Sequence, residues 1–141
     1  MSLQLLIRRG AARDLARVAA IQADSPEAAG WNPDEYPGFD FRVAELEGRV
    51  AGFLVGRTVA PGERELLNLA VAAADRRRGI GHALLLGFLN EAPGSVFLEV
   101  RESNRTAIEF YKSIGFQRVS LRRNYYQYPP EAAIVMKFHS C

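Results

Sequence analysis

A mixed α/β (α+β) domain is the fold class that this sequence predicts, and three observations carry it. Short apolar-rich runs of strand character alternate with segments of helical spacing along the 141 residues. The runs on either side of Glu47-Gly48-Arg49 read as a hairpin, and two more strands close the chain, so antiparallel pairing coexists with a strand–loop–helix–strand stretch. No internal repeat, low-complexity run or linker interrupts residues 1–141, which therefore read as one domain built on a central sheet of six or seven strands with flanking helices.

The elements follow in order. Leu3 to Arg9 is a first strand, stopped by Gly10. From Ala12 to about Ala23 the residues Leu15, Val18, Ala19 and Gln22 recur at helical spacing, with Asp14 in the first turn, where the helix dipole favours an anion. Ser25 to Asp40 holds Pro26, Gly30, Pro33, Pro37 and Gly38, too many breakers for a long regular element. Its aromatics Trp31, Tyr36 and Phe39 suit either plugs for the core or a lid over a substrate cleft. Phe41 to Leu46 and Val50 to Val59 are the hairpin strands, and Glu65 to Ala72 is a further strand. After the loop Arg76 to Gly81, the four-residue steps Ile80, Leu84 and Phe88 start a helix that reaches about Asn90 and ends before Pro93-Gly94. Val96 to Arg101 is a strand and Asn104 to Ser113 a helix, with Gly115 placed for the left-handed residue that closes it. Gln117 to Tyr126 and Ala133 to Phe138 are the closing strands.

Bulk properties narrow the function classes. A domain of this length buries roughly two-thirds of its unfolded surface, enough for a core without staples. The single cysteine, Cys141, allows no internal disulfide and no cysteine-based metal site. No run approaches the roughly 20 apolar residues that span a bilayer. The first residues lack the order of a signal peptide, so a cytoplasmic protein without membrane contact is expected; Met1 and Ser2, which suit an expression leader, carry no argument. A net charge of +2 is too small to argue for nucleic-acid binding. The distribution says more, because only Lys112 and Lys137 among the 18 basic residues are lysines, and the arginines supply forked contacts for phosphate or carboxylate.

Three of those arginines open the loop Arg76-Arg77-Arg78-Gly79-Ile80-Gly81-His82, between a strand and a helix. Two glycines let the backbone turn and expose consecutive N–H groups, and the helix start adds about half a positive charge, a cradle for phosphate rather than a solvated basic turn. A nucleotide P-loop is excluded because no lysine or hydroxyl residue follows Gly81. A dinucleotide fingerprint places a third glycine where Leu84 stands. Glu99 does lie about twenty residues on, as a ribose-binding acid would, but some 40 residues remain after it, too few for a second mononucleotide half.

These residues resemble the GCN5-related N-acetyltransferase superfamily, whose signature [QR]-x-x-G-x-[GA] reads here Arg76-Arg77-Arg78-Gly79-Ile80-Gly81. The downstream run is similar to the ribosomal-protein-alanine N-acetyltransferase (RimI) branch: Leu98 to Asn104, Ala107-Ile108, Phe110-Tyr111, Gly115-Phe116 and Arg122 to Tyr126. The likeness is strong from about Leu66 to Met136 and faint before it. Two departures stand out. Ala132 occupies a position commonly held by aspartate, which bears on the acceptor, and Ala72-Ala73-Ala74 replaces an Asp-Pro turn.

The resemblance implies a sheet in which a central parallel pair splays and takes the pantetheine arm of acetyl-CoA, the acetyl donor. It implies that the backbone of Leu69, Ala70 and Val71 pairs with that arm, Val71 N–H also serving the thioester carbonyl. It further implies that Arg76, Arg77, Arg78, Gly79, Ile80, Gly81 and His82 hold the diphosphate and that Asn104 touches the coenzyme. Trp31, Tyr36 and Tyr125 answer to acceptor-binding aromatics. The implied acceptor is a protein N-terminal α-amine, the alanine-starting end of a small-subunit ribosomal protein first; another peptide or a small-molecule amine is the alternative, and a non-catalytic acyl-CoA-binding module a further one.

Glu99 is, by the resemblance, the general base. It also interrupts the apolar strand Val96 to Val100, where a carboxylate needs a reason unless it faces solvent at an edge. An N-terminal amine of pKa about 7.7 to 8.0 needs only about 1 kcal/mol to become neutral at pH 7, against nearly 5 for a lysine, so one carboxylate suffices. Tyr111 is the implied general acid, a phenol that stays protonated at neutral pH, although its spacing from Ala107 and Ile108 also suits packing. His82 and His139 have no partner at ligand spacing and no metal is expected. Tyr125, Tyr126 and Tyr128 beside Arg122 and Arg123 line a sheet or peptide groove in preference to stacking on bases. A monomer is the default expectation.

Overall fold

A computed structural model describes residues 4–25, 28, 30–127 and 129–140. The expectations placed on Met1, Ser2, Leu3, Pro26, Tyr128 and Cys141 lie outside the described residues. Among the described residues the α-helices and strands number ten: β1 (Leu5–Arg9), α1 (Leu15–Ala23), β2 (Asp40–Leu46), β3 (Arg49–Ala60), β4 (Glu63–Val71), α2 (Ile80–Asn90), β5 (Gly94–Arg101), α3 (Arg105–Ile114), β6 (Gln117–Gln127) and β7 (Pro130–Ser140). The strands form one mixed, open sheet in the order β1-β2-β3-β4-β5-β7-β6, with the helices flanking it and β4–β5 as its parallel pair. The chain packs as two compact units, Met1–Arg57 with Leu66–Glu91 and Thr58–Glu65 with Ala92–Cys141.

In the first unit, β2 and β3 close on Glu47 and Gly48, whose φ values of 53° and 82° both lie in the left-handed region. Two consecutive positive φ angles give the primed turn whose twist matches a two-residue hairpin. β3 is buried without break from Val50 to Gly56, as a strand covered on both faces must be. Tyr36, Phe41, Phe53, Val43 and Val55 pack with Val18 and Ile21 of α1. Each such side chain contributes roughly 1.5–3 kcal/mol on burial, so Phe53→Ala would cost about 3–5 kcal/mol. The expected face of α1 is therefore adjusted: Val18 and Ile21 are its buried residues, while Gln22 is half-buried and turns its amide into a polar cluster. α2 buries Ile80, Leu84 and Phe88, together with Leu85 and Leu89. The broken segment before β2 holds one 3-10 stretch, Pro33–Gly38, begun by the Asn32 side chain accepting from Asp34 N.

In the second unit, β4 and β5 run parallel with Glu63, Arg64 and Glu65 beside Ser95, Val96 and Phe97. β5 starts at Gly94, two residues before the predicted Val96, because Ser95 N donates to Gly62 O at 2.9 Å. Gly94 has φ of 123°, and a Cβ there would lie 2.3 Å from that same carbonyl oxygen, so no other residue fits. Along β5, Val96, Leu98 and Val100 are buried on one face, which puts Glu99 on the other. β7 begins at Pro130 rather than Ala133, an entry position that tolerates a missing N–H. The β6–β7 register slips between Arg122 and Tyr126, where Asn124 adopts φ of 56°.

Candidate active site

The loop after β4 is held before it is aimed. Asp75, 1 % exposed, takes two bonds of 2.5 Å from the Arg49 guanidinium, which holds its carboxyl below the usual carboxylate range. Arg76 Nε donates to Val71 O at 3.2 Å and its Nη2 to Ser25 Oγ at 3.1 Å. Arg77 stands at φ of 66° and Gly79 at 77°, so the backbone reverses twice before α2 begins at Ile80. A Cβ on Gly79 would meet nothing within 4 Å; the constraint there is φ alone. Gly79 is the N-cap and no side chain caps the helix. Ala83 N→Gly79 O at 3.0 Å is the first bond across the start, so the amides of Ile80, Gly81 and His82 precede the intrahelical ladder, with Arg77, Arg78 and His82 exposed around them. An uncapped N-terminus ringed by guanidinium groups fits a diphosphate.

Upstream on β4 the structure brings in a residue that the sequence reading passed over. Asn68, buried at 5 %, donates from Nδ2 to Gln22 Oε1 and to the Tyr36 hydroxyl, each at 3.2 Å, and its Oδ1 accepts from Leu69 N at 3.0 Å. Tyr36 donates to Gln22 Oε1 at 2.5 Å, and Gln22 Nε2 donates to Trp31 O at 2.7 Å. Of the three N–H groups expected to meet a pantetheine arm, that of Leu69 is thus already engaged, while Ala70 and Val71 follow it on the strand. Tyr36 is 1 % exposed with its ring 5.7 Å from Phe41 and 5.8 Å from Phe53, the core plug of the two alternatives. Trp31 is 40 % exposed.

The second unit carries the carboxylate. Arg122 Nη1 donates to Glu99 Oε1 at 2.6 Å, whereas Glu99 Oε2 is buried and has no hydrogen-bond partner among the described residues. Such an atom is costly unless a ligand or proton completes it. Tyr125, stacked under the Arg122 guanidinium at 4.5 Å, is pushed up to about 12, first by its hydrogen bond toward the Glu99 carboxylate and then by burial. Burial also raises Tyr126, with Glu99 adding to it. Tyr111 lies partly buried between Phe110 and Phe116, with centroids at 5.4 and 5.6 Å; burial raises its phenol well above the ordinary range and Tyr126 adds to the effect. It packs, and it keeps its proton. Asn104 caps α3 through Oδ1, which accepts from Ala107 N at 3.1 Å. Glu131 accepts from Ser103 N at 2.6 Å and from Arg101 at 3.2 Å, tying the β6–β7 turn to the start of α3.

Among the described residues no group of three His, Cys, Asp or Glu side chains could hold a metal, and no helix is long and apolar enough to cross a membrane.

Comparison with known proteins identifies the family and the fold. The model of the acetyltransferase (GNAT) family matches residues 7–116. N-alpha-acetyltransferase RimI of Mycobacterium tuberculosis is 45 % identical over 84 residues, 59 % of this chain and 52 % of that protein. The chain spans about half or less of the length of the curated relatives it matches. Among solved structures, the ribosomal-protein-S18-alanine N-acetyltransferase from Escherichia coli superposes with a TM-score of 0.82 at 28 % identity, covering 97 % of this chain and 94 % of that one. Ard1 from Thermoplasma volcanium gives 0.84 at 32 % identity, covering 97 % and 98 %.

Proposed function

The chain belongs to the acetyltransferase (GNAT) family, and we propose that it moves an acetyl group from acetyl-CoA to the N-terminal α-amine of a protein, acting as one catalytic domain. The observation that carries this reading is Glu99: one oxygen is pinned by Arg122 and the other is buried with no hydrogen-bond partner among the described residues, a carboxylate oriented and left with one site for a proton.

The residues divide the work. The amides of Gly79 to His82 and the guanidinium groups of Arg77 and Arg78 hold the diphosphate, Arg76 serving it by bracing the loop against Val71 and Ser25, with Asp75 and Arg49 fixing the loop beneath them. Ala70 and Val71 pair along the pantetheine arm, and Val71 N–H donates to the thioester carbonyl oxygen. Asn104 contacts the coenzyme from the start of α3. The bound coenzyme supplies the activated acetyl group as a thioester. Glu99 takes the proton from the incoming amine, directly or through water, and Tyr111 gives its own to the departing sulfur. An α-amine suits a single carboxylate because about 1 kcal/mol brings it to its neutral form near pH 7. Trp31 and Tyr125, each 40 % exposed, receive the acceptor. Relatives named for the alanine terminus of ribosomal protein S18 make that terminus the first acceptor to try.

The test is mass spectrometry of a panel containing alanine-starting peptides, the same peptides blocked at the α-amine, internal-lysine peptides and polyamines, each incubated with acetyl-CoA. Acetylation confined to free α-amines is expected. Acetylation of polyamines or lysines alone overturns the acceptor class, and none at all overturns the activity.

A further inference from the structure

A buried strand seldom carries an asparagine, and a core tyrosine seldom ends on two amides, yet β4 and its neighbours in the first unit combine both. The bonds form a chain. Leu69 N–H is held by Asn68 Oδ1; Asn68 Nδ2 reaches Gln22 Oε1 and the Tyr36 hydroxyl; Tyr36 donates to Gln22 Oε1; Gln22 Nε2 donates to the carbonyl of Trp31. One end is therefore the backbone of the strand expected to meet the coenzyme arm, and the other is the backbone of the segment carrying an exposed aromatic. Apolar side chains of the same volume would fill this space without needing partners, so packing alone does not account for the choice.

We propose that Gln22, Tyr36 and Asn68 are positioning residues, a polar relay that sets the Trp31 segment against β4 and thereby governs how well an acceptor chain binds; the inference rests on the acetyl-transfer reading above. Specificity in the bond pattern supports it. Gln22 Oε1 accepts from two donors while its Nε2 is spent on Trp31, so the amide has one orientation that satisfies all three neighbours. The Tyr36 phenol, raised by burial, remains a donor throughout the working pH range. Tyr36 thus acts through Gln22 rather than by offering its ring, which is closed in the core.

Trp31 is the chain's single tryptophan, so its fluorescence reports the segment without any reaction. Tyr36→Phe keeps the ring and removes the hydroxyl; Gln22→Met keeps length and removes both amide groups. In each variant the expectation is a rise of about 5-fold in the acceptor KM, the scale of one lost hydrogen bond. Turnover should stay within about twofold, coenzyme affinity should not move, and Trp31 should become more accessible to acrylamide. An unchanged acceptor KM or unchanged quenching, in a variant that still melts cooperatively, overturns the relay, and so does a lowered melting temperature with both readouts unmoved. If the unaltered protein acetylates nothing, the acetyl-transfer reading fails by itself, and quenching of Trp31 still decides whether the relay holds the segment.

Discussion

Replacing Glu99 by glutamine separates chemistry from architecture at the residue on which the proposed mechanism turns. The exchange keeps volume and removes the charge. Structurally Glu99 has little to lose: its ion pair is with Arg122, whose side chain is 54 % exposed, the Tyr125 hydroxyl bonded toward its carboxylate can donate to an amide oxygen as well, and Oε2 has no hydrogen-bond partner among the described residues. Pairs whose cation lies half in water contribute little to folding, so the melting temperature should stay within about 5 °C of the parent. Catalytically the loss is large, since a positioned base is worth about 10²–10⁴-fold, or roughly 3–5 kcal/mol of barrier. The variant should also respond more steeply to pH. With an α-amine of pKa about 8, the neutral fraction grows roughly tenfold between pH 7 and pH 9, and the variant should recover by about that factor. Steady-state rates of thiol release with an alanine-starting peptide, measured beside thermal melts, read both quantities. A variant within about threefold of the parent would refute the reasoning, as would a large stability loss that accounts for the missing activity.

Other expectations follow from the same geometry. Tyr111→Phe should slow turnover roughly 10–100-fold while coenzyme affinity, measured by calorimetry, stays put; because burial raises this phenol, the parent should show no fall in rate from it below about pH 10, and an unchanged rate in the variant removes Tyr111 from the mechanism. Asp75→Asn should lower the melting temperature by on the order of 5 °C at pH 7 and weaken coenzyme binding, since it releases Arg49 and leaves a buried amide in its place. The folded carboxyl of Asp75 titrates below its unfolded value, so the pair's contribution is complete above about pH 4 and disappears as pH falls through the folded value; parent and variant melts should converge on acidification, and a gap that widens contradicts the assignment. Gly79→Ala meets no atom but places a Cβ at φ of 77°, a penalty of roughly 1 kcal/mol that should be divided between stability and coenzyme affinity; unchanged melts and unchanged binding together would count against the loop.

Much of this was legible from local pattern. The hairpin around Glu47-Gly48-Arg49, the four-residue steps of α2 and the glycine-bearing loop after β4 depend on neighbours in sequence, and the structure places them where the spacing predicts, with Arg49 drawn from the turn into β3. What stayed hidden depends on distant partners. Asn68 is 46 residues from Gln22 and 32 from Tyr36, and Asp75 is 26 from Arg49, so nothing near either residue announces its role. Tyr36 was expected among acceptor aromatics through the family resemblance, and its proline-broken segment left core plug and lid both open, because the composition of a loop does not say which of its rings turn inward. The signal available for Asn68 was its place in the apolar run Leu66 to Val71, the same signal that singled out Glu99 in β5. Strand ends were blurred for a different reason: the start of β5 is set by Gly62 on the preceding turn, and the entry to β7 by a proline that reads as a breaker.

A single-turnover reaction tests the central claim most directly. The protein, charged with acetyl-CoA, is mixed with an alanine-starting peptide, and free thiol and fragment-mapped acetyl are followed together. Thiol release matched one for one by acetyl on the α-nitrogen, and suppressed in Glu99→Gln, is the predicted result. Thiol release without a modified peptide, acetyl found only on side chains, or equal rates in the two proteins would contradict it.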